Sequence, residues 1–462
     1  MTAIQENKLQ RRLSLFPATN IVISNMIGAG IFTTSGLLIA DLNSPMLMLL
    51  LWVAGGIIAL CGAISYGELG ANMPGAGGEY LFLSRLFNPV AGFLSGWVSF
   101  IVGFSAPIAA SAIGFSAYFI RAFPSFPSWV SNNTWISEFA TEKILAIAVI
   151  ILFSAIHYRG LKFGSQVQNY LTLLKLALMV GLIFLGIFSG KGDLSHFNEG
   201  SVMVSGFKGW KTIGLSLMWI MFAYSGWNAS TYIGSEIKNP ERNLPGSLLI
   251  GTLIVMVLYL MINIVFIYAI PPGEMSGVIS VGGLAMEKMF GITGGAISSL
   301  LISFALFSSL SAFLIIGPRV YYSMAKDGLF FKSAAKIHPK FKVPSVSIVF
   351  QCTIALILTI SGTFEQILTF MGFSLGIFPL LAIIGVIKMR IKGTSSIKIP
   401  GYPVAQIIYL STGLLILILA YLERPLESSM GILTVLTGIP AYFLFKSIGK
   451  KQDINKFKSS NQ

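Results

Sequence analysis

The sequence predicts an all-α polytopic membrane protein with twelve transmembrane helices. Three observations carry that expectation. Hydrophobic residues fill 55% of the 462 positions and charged residues only 10%, whereas soluble globular proteins run at about 25% charged. The apolar residues form unbroken blocks of ~18 to 25, the length that crosses a bilayer as a helix. The basic residues are divided unequally between the connecting segments, and that asymmetry sets topology. Other classes fail on the same evidence of composition. The 17 acids and 31 bases cannot cover the soluble domains that such a length would otherwise make. Disorder needs low hydrophobicity, and a membrane β-barrel needs alternating apolar and polar positions.

In chain order the expected spans are 15–39, 45–68, 90–120, 143–158, 166–189, 210–235, 244–270, 293–325, 345–361, 365–388, 402–421 and 427–446. The first follows a basic, polar stretch without a small-residue cleavage pattern, so it reads as a span and not as a cleavable signal. The blocks at 90–120 and 293–325 are long for one crossing, which predicts tilt or extension beyond the bilayer. Loops between blocks are short, and none houses a soluble catalytic domain. Residues 1–14 and 447–462 are the expected tails, both cytoplasmic.

Orientation follows the bases. With the amino terminus in the cytoplasm, 23 of the 31 Lys and Arg fall on the cytoplasmic side, 7 outside, and Lys175 within a span. The cytoplasmic set includes Lys8, Arg11 and Arg12, Arg85, Arg159 and Lys162, the run from Arg319 to Lys342, and Lys388 to Lys398. A multi-pass cell (inner) membrane protein with both termini inside is expected. The net charge of +14 is then a topology signal plus contact with anionic lipid, and no nucleic-acid partner is expected.

Chemistry-bearing clusters are few. Cys61 and Cys352 lie within apolar blocks and make neither a disulfide framework nor a metal site. His157, His196 and His338 are isolated. There is no phosphate loop and no paired acids within a span. No metal, no cofactor and no enzymatic activity are expected.

The functional signal lies in two interrupted spans. The first reads Asn25-Met26-Ile27-Gly28-Ala29-Gly30-Ile31-Phe32, the sixth Phe222-Ala223-Tyr224-Ser225-Gly226-Trp227-Asn228. Glycine weakens a helix by ~1 kcal/mol relative to alanine. Unwound backbone within a membrane is tolerated only where it lines a cavity or is buried in protein. Amides at the start of a half-helix, with the positive end of its dipole behind them, suit a carboxylate. Free carbonyls of the other half suit an ammonium. Small residues at helix contacts are the competing explanation. The breaks stand 197 residues apart, where a five-plus-five inverted repeat puts its two broken helices. That repeat divides the chain into 15–190 (spans one to five), 209–390 (spans six to ten) and 402–446, the two extra helices.

At these residues the chain resembles the amino acid–polyamine–organocation transporter superfamily, over essentially its whole length. Gly28-Ala29-Gly30-Ile31-Phe32 is similar to the family's G-[SA]-G-I-F motif. Ser65-Tyr66-Gly67-Glu68-Leu69 with Met73-Pro74-Gly75-Ala76-Gly77-Gly78-Glu79-Tyr80 resembles the signature after span two. The stretch from Ser235 to Pro245 resembles the loop after span six, and Arg319 to Gly328 the end of span eight. The sixth span and its loop are most similar to the L-type amino acid transporters and their bacterial relatives. The resemblance implies an amino-acid transporter working by alternating access. It implies a substrate carboxylate on the amides of Ala29 and Gly30, beside Ile27 and Gly28. It implies a substrate ammonium on carbonyls near Met26, Phe222 and Ser225, with Gly226 at the break. Where the motif usually has serine this chain has Ala29, so a hydroxyl contact is lost. Mammalian L-type relatives pair with a glycoprotein through a cysteine; neither Cys61 nor Cys352 stands in an outer loop, so no obligate protein partner is expected.

Lys175 lies ~10 residues inside span five, where a charge costs about 2.5 to 3.5 kcal/mol on insertion scales. Snorkelling is the alternative to a functional role. In the family a lysine at this place stands where sodium binds in sodium-coupled relatives. The resemblance implies an ammonium bridging the broken first span and span eight, with Ser308 and Ser309 the nearest hydroxyls. It implies sodium-independent transport, by exchange or by proton symport, with protons as the candidate co-substrate. All 17 acids lie in loops, tails or span ends. Asn228 stands where some relatives that take cationic substrates have glutamate. Small or medium neutral amino acids are therefore expected, with cationic amino acids or polyamines the alternative. Phe222 and Trp227 are candidate lids over the substrate. Glu68, Glu79 and Glu236 are expected to pair with Arg85, Lys238 or Arg319 at an inner gate. A channel wants a sustained polar stripe, which no span has; a non-transporting scaffold is the remaining reading of another class.

Overall fold

The computed structural model describes residues 11, 13–75, 77–126, 138–159, 161–200, 206–341 and 343–460, without side chains at 138–140, 161–169 and 449–460. Lys8, Arg12, Ala76 and Lys342 lie outside the described residues, as do most of the expected amino-terminal tail and the side chains of Lys162, Lys450, Lys451, Lys456 and Lys458.

The first span is two helices, α1 (Leu15–Met26) and α2 (Ala29–Leu42). The helical run stops because Ile27 and Gly28 are extended, with ψ 99° at Ile27 and φ −140° at Gly28. α3 (Pro45–Asn72) starts on Ser44, whose hydroxyl accepts from the Leu47 amide, and Pro45 stands at a position where a missing N–H is harmless. The chain then turns through Gly77 and Gly78, at φ 112° and 52°, into the short α4 (Glu79–Leu86). α5 (Pro89–Val98) and α6 (Ser105–Ala122) are joined by a π-helical turn, Ser99–Gly103. This widened turn, often found at functional sites, lies within the long third block.

α7 (Glu138–Tyr158) and α8 (Leu161–Phe188) follow. α9 (Gly206–Ala223) ends at the second break. Gly226, at φ 100°, turns the chain, and only the 3₁₀ turns Ala229–Tyr232 and Gly234–Glu236 follow. α10 (Pro240–Ala269) leads to α11 (Val281–Lys326), which bends at the non-helical Gly291 (φ 75°). The long block at 293–325 is one leg of that bent helix. The rest are α12 (Ser345–Ser361), α13 (Phe364–Ile391), α14 (Val404–Glu423) and α15 (Pro425–Ser460). A reciprocal cap between Thr363 and Gln366 starts α13.

Ten helical stretches among the described residues are long and apolar enough to cross a membrane. The expected spans at 210–235 and 345–361 are not among the ten: the first is split after Ala223, and α12 has 17 residues. The protein is an all-α polytopic membrane protein. The broken first span and the α5–α6 stretch lie inside the bundle, their apolar windows 89% and 94% buried, against 33% in α14. α11 packs on α6, α10 on α3, and α1 on α10.

At one end of the bundle, Leu13 and Ile237 form a parallel backbone bridge. The Leu13 amide donates to Glu236 O at 3.0 Å and the Lys238 amide to Leu13 O at 2.8 Å. The same end holds Glu68, which takes Arg390 Nε and Nη2 at 2.7 and 2.6 Å. The expected pairing of Glu68, Glu79 and Glu236 with Arg85, Lys238 or Arg319 is not made among the described residues. α13 folds against the last turn of α3 and delivers Arg390 from 322 positions away, while Arg85 is exposed. The bidentate geometry and the burial of Glu68, 1% exposed, make this the tighter pair. At the other end Arg121 pairs with Glu287 at 2.7 Å and Arg424 pairs with Glu365.

Candidate substrate site at the two helix breaks

Two glycines let the two breaks touch, and a third lets the first break approach α11. A Cβ on Gly30 would lie 2.5 Å from Ala223 Cα, and one on Gly226 2.8 Å from the Asn25 carbonyl carbon. A Cβ on Gly28 would lie 3.2 Å from Ser309 Oγ on α11. The small residues that predict unwinding thus also allow close packing of the first span, the sixth and α11. Gly226 has the second reason of a positive φ.

The interruption leaves backbone groups to be satisfied. The Ala29 and Gly30 amides open α2 and have no intrahelical acceptor. On the carbonyl side most groups are engaged. The Tyr259 hydroxyl of α10 lies 2.6 Å from Met26 O and 2.9 Å from Ala223 O, so one side chain spans both breaks. Phe222 O accepts from the Ser225 amide at 2.8 Å. Each carbonyl keeps a second lone pair.

Lys175, fully buried on α8, points into the first break. Its Nζ donates to Ser24 O at 2.8 Å, to Ile27 O, and towards Ser309 Oγ at 3.4 Å. Ser309 in turn donates to Ile27 O at 3.1 Å. These contacts engage all three ammonium protons. Ser308 faces elsewhere: its hydroxyl pairs with Thr172 at 3.3 Å. Lys175 therefore ties α1, α8 and α11 together at the point where α1 unwinds.

A cavity opens beside the breaks. Of the sequence-predicted residues, Phe222, Ser225, Gly226 and Asn228 line it. Met26, Ile27, Gly28, Ala29, Gly30, Lys175, Ser308 and Ser309 stand off its wall. Trp227 lines it as well and packs edge-on against Tyr66, ring centroids 4.7 Å apart. Phe104, beside the π-turn, closes another side. Sequence reading missed three residues. Asn25, whose amide side chain donates to Ile21 O at 2.8 Å, forms the first-span part of the wall; a polar residue next to a break was its signal. Tyr259 carried no local signal. Glu79, assigned to a span end, reaches the cavity wall because the Gly77-Gly78 turn folds α4 back against the sixth span.

The geometry is that of two unwound helices meeting beside a largely apolar cavity, which suits a small zwitterion. The profile of the family described as amino acid permease matches residues 13–440. The chain belongs to the amino acid permease family. It is similar to the serine/threonine exchanger SteT of Bacillus subtilis, 28% identical over 96% of this chain and 98% of that protein. It is similar to the large neutral amino acids transporter small subunit 2 of Mus musculus, 26% identical over 94% of this chain and 81% of that protein. The b(0,+)-type amino acid transporter 1 of Mus musculus is 28% identical over 96% and 90%. This permease is a multi-pass membrane transporter of amino acids, and not an enzyme.

Proposed function

We propose that this permease is a sodium-independent exchanger of neutral amino acids in the cell membrane. The observation that carries the reading is Lys175. A buried ammonium already occupies a ligand set of two carbonyls and a hydroxyl, the kind of oxygen donors a sodium ion would use. The amides of Ala29 and Gly30 receive the substrate carboxylate, with carbonyls near Met26, Phe222 and Ser225 receiving its ammonium. For those residues to reach substrate, the breaks shift towards the cavity as the site alternates between the two sides. The similarity to a serine/threonine exchanger and a large neutral amino acids transporter supports a neutral substrate and exchange. No obligate protein partner is part of the proposal, since Cys61 and Cys352 both sit within helices.

The test is radiolabelled uptake of L-serine, L-alanine and L-leucine into proteoliposomes, with and without internal amino acid, in sodium or in choline buffer. Uptake is expected to need internal amino acid and to be equal in the two buffers. A sodium requirement would sink the reading, because the ligand set would then not belong to Lys175. Uptake driven by an inward pH gradient into empty vesicles would replace exchange with proton symport.

The proposal includes twelve spans, a five-plus-five inverted repeat and cytoplasmic termini. Its support is the division of bases, 23 to 7. A single cysteine placed at Lys336 or Lys392 is expected to resist a membrane-impermeant maleimide in intact cells and to react after permeabilisation. Labelling in intact cells would invert the topology.

A further inference from the structure

Glu79 is a carboxyl on the wall of the cavity without a cationic partner. It is 7% exposed and lines the same space as Asn228, Phe222 and Trp227. Among the described residues no Lys, Arg or His lies within ion-pairing distance of it. Two donors land on one oxygen, the Tyr66 hydroxyl at 2.8 Å and Asn228 Nδ2 at 3.1 Å from Oε1, and the Ser95 hydroxyl of α5 also faces the carboxyl. With no cation beside it, burial is what favours the neutral acid over the carboxylate. In that acid the carbonyl oxygen accepts twice, and the proton rides on Oε2.

Among the described residues, the groups around it hold no charge that offsets an anion. α3 presents the Tyr66 phenol, the turn after the second break presents Asn228 and Tyr232, and α14 presents Tyr409. α5 presents the neutral Ser95 hydroxyl. On α4 itself, Arg85 is exposed and Tyr80 donates to Asp327 at 2.5 Å. On α13, Lys388 is bound to Leu86 O at 2.5 Å and Arg390 to Glu68. An uncompensated buried anion is costly. Burial pushes the Glu79 carboxyl up to about 7.

We propose that Glu79 is a cation-accepting subsite of the substrate cavity, which holds a proton when the substrate side chain is neutral and exchanges that proton for a cationic side chain. The step balances. An amino acid whose side chain carries an ammonium or guanidinium enters, the Oε2 proton leaves to the aqueous side to which the cavity is open, and carboxylate and cation pair. The net charge of the loaded cavity is then the same for a neutral substrate with its proton and a cationic substrate without it. The proposal rests on the amino-acid site described above and widens its side-chain range.

The experiment compares labelled L-serine and labelled L-lysine exchange in proteoliposomes loaded with both, at pH 6 and pH 8. A proton that competes with the lysine side chain at a group titrating near 7 predicts that the lysine-to-serine ratio rises about tenfold between the two values. In Glu79→Gln the ratio is expected to fall at least about tenfold at pH 8 and to lose its pH dependence. Glu79→Asp, which retains a carboxyl, keeps the pH dependence, and wild type alone supplies the pH comparison if a variant fails to insert. Lysine that is not exchanged at pH 8 while serine is, or a lysine-to-serine ratio indifferent to pH or to Glu79→Gln, overturns the proposal. Absence of serine exchange at both pH values, with lysine exchange intact and pH-dependent, would instead overturn the neutral-substrate reading and leave the Glu79 subsite standing.

Discussion

Lys175→Ala is expected to lose at least nine-tenths of wild-type exchange, roughly the effect of removing one charge-assisted hydrogen bond of 1.5 to 3 kcal/mol. The side chain is fully buried, and its ammonium donates to Ser24 O and Ile27 O on either side of the first break. Removing it leaves those carbonyls short of donors in the interior of the bundle. Ser309 still holds Ile27 O at 3.1 Å, so α11 keeps one contact while α8 loses its hold on α1. The loss should appear in substrate affinity or in the rate of the conformational step, while the protein still inserts. Exchange in proteoliposomes measures the first, and a monodisperse peak of purified variant checks the second condition. Wild-type exchange rates from well-inserted Lys175→Ala protein would reduce the lysine to a structural bystander.

Gly30→Val is expected to abolish exchange. A Cβ at that position would lie 2.5 Å from Ala223 Cα and 2.7 Å from Ala223 Cβ, a clash with backbone that no rotamer relieves. The first and sixth spans must then part at the point where they are unwound. Tyr259, which reaches both Met26 O and Ala223 O, loses one of its two acceptors as they separate. A packing defect of this kind acts through the geometry of the site as well as through the Gly30 amide. Gly30→Ala keeps the amide, as Gly30→Val does, and carries the same Cβ without the two methyls of valine, so it tests the Cβ contact with Ala223 by itself. Both variants should lose exchange if close approach of the breaks is required. Substrate exchange at wild-type level in either would place the amino-acid site away from the breaks.

Much of this protein is local chemistry and was legible as such. Membrane spans follow from hydropathy, which sums along one segment and needs no knowledge of neighbours. The breaks follow from the helix-breaking property of glycine, although the first falls at Ile27-Gly28 and not across Gly28-Ala29-Gly30, since Ala29 and Gly30 already open α2. Lys175 stood out because a charge inside an apolar block has no local explanation. What the sequence could not decide was direction. A membrane helix is apolar all round, so no stripe of hydrophobic residues says which side faces a partner and which faces lipid. The hold of Tyr259 on Met26 spans 233 positions, that of Arg390 on Glu68 spans 322, and that of Asn228 on Glu79 spans 149. Only folding brings such pairs together. The same cause moved Glu79 from an expected gate at a span end to the cavity wall, because a glycine turn, and not an apolar block, returns α4 to the sixth span. Sequence determined the class, the breaks and the buried cation; tertiary structure decided which side chains meet at them, since in a uniformly apolar chain packing alone distinguishes one face of a helix from another.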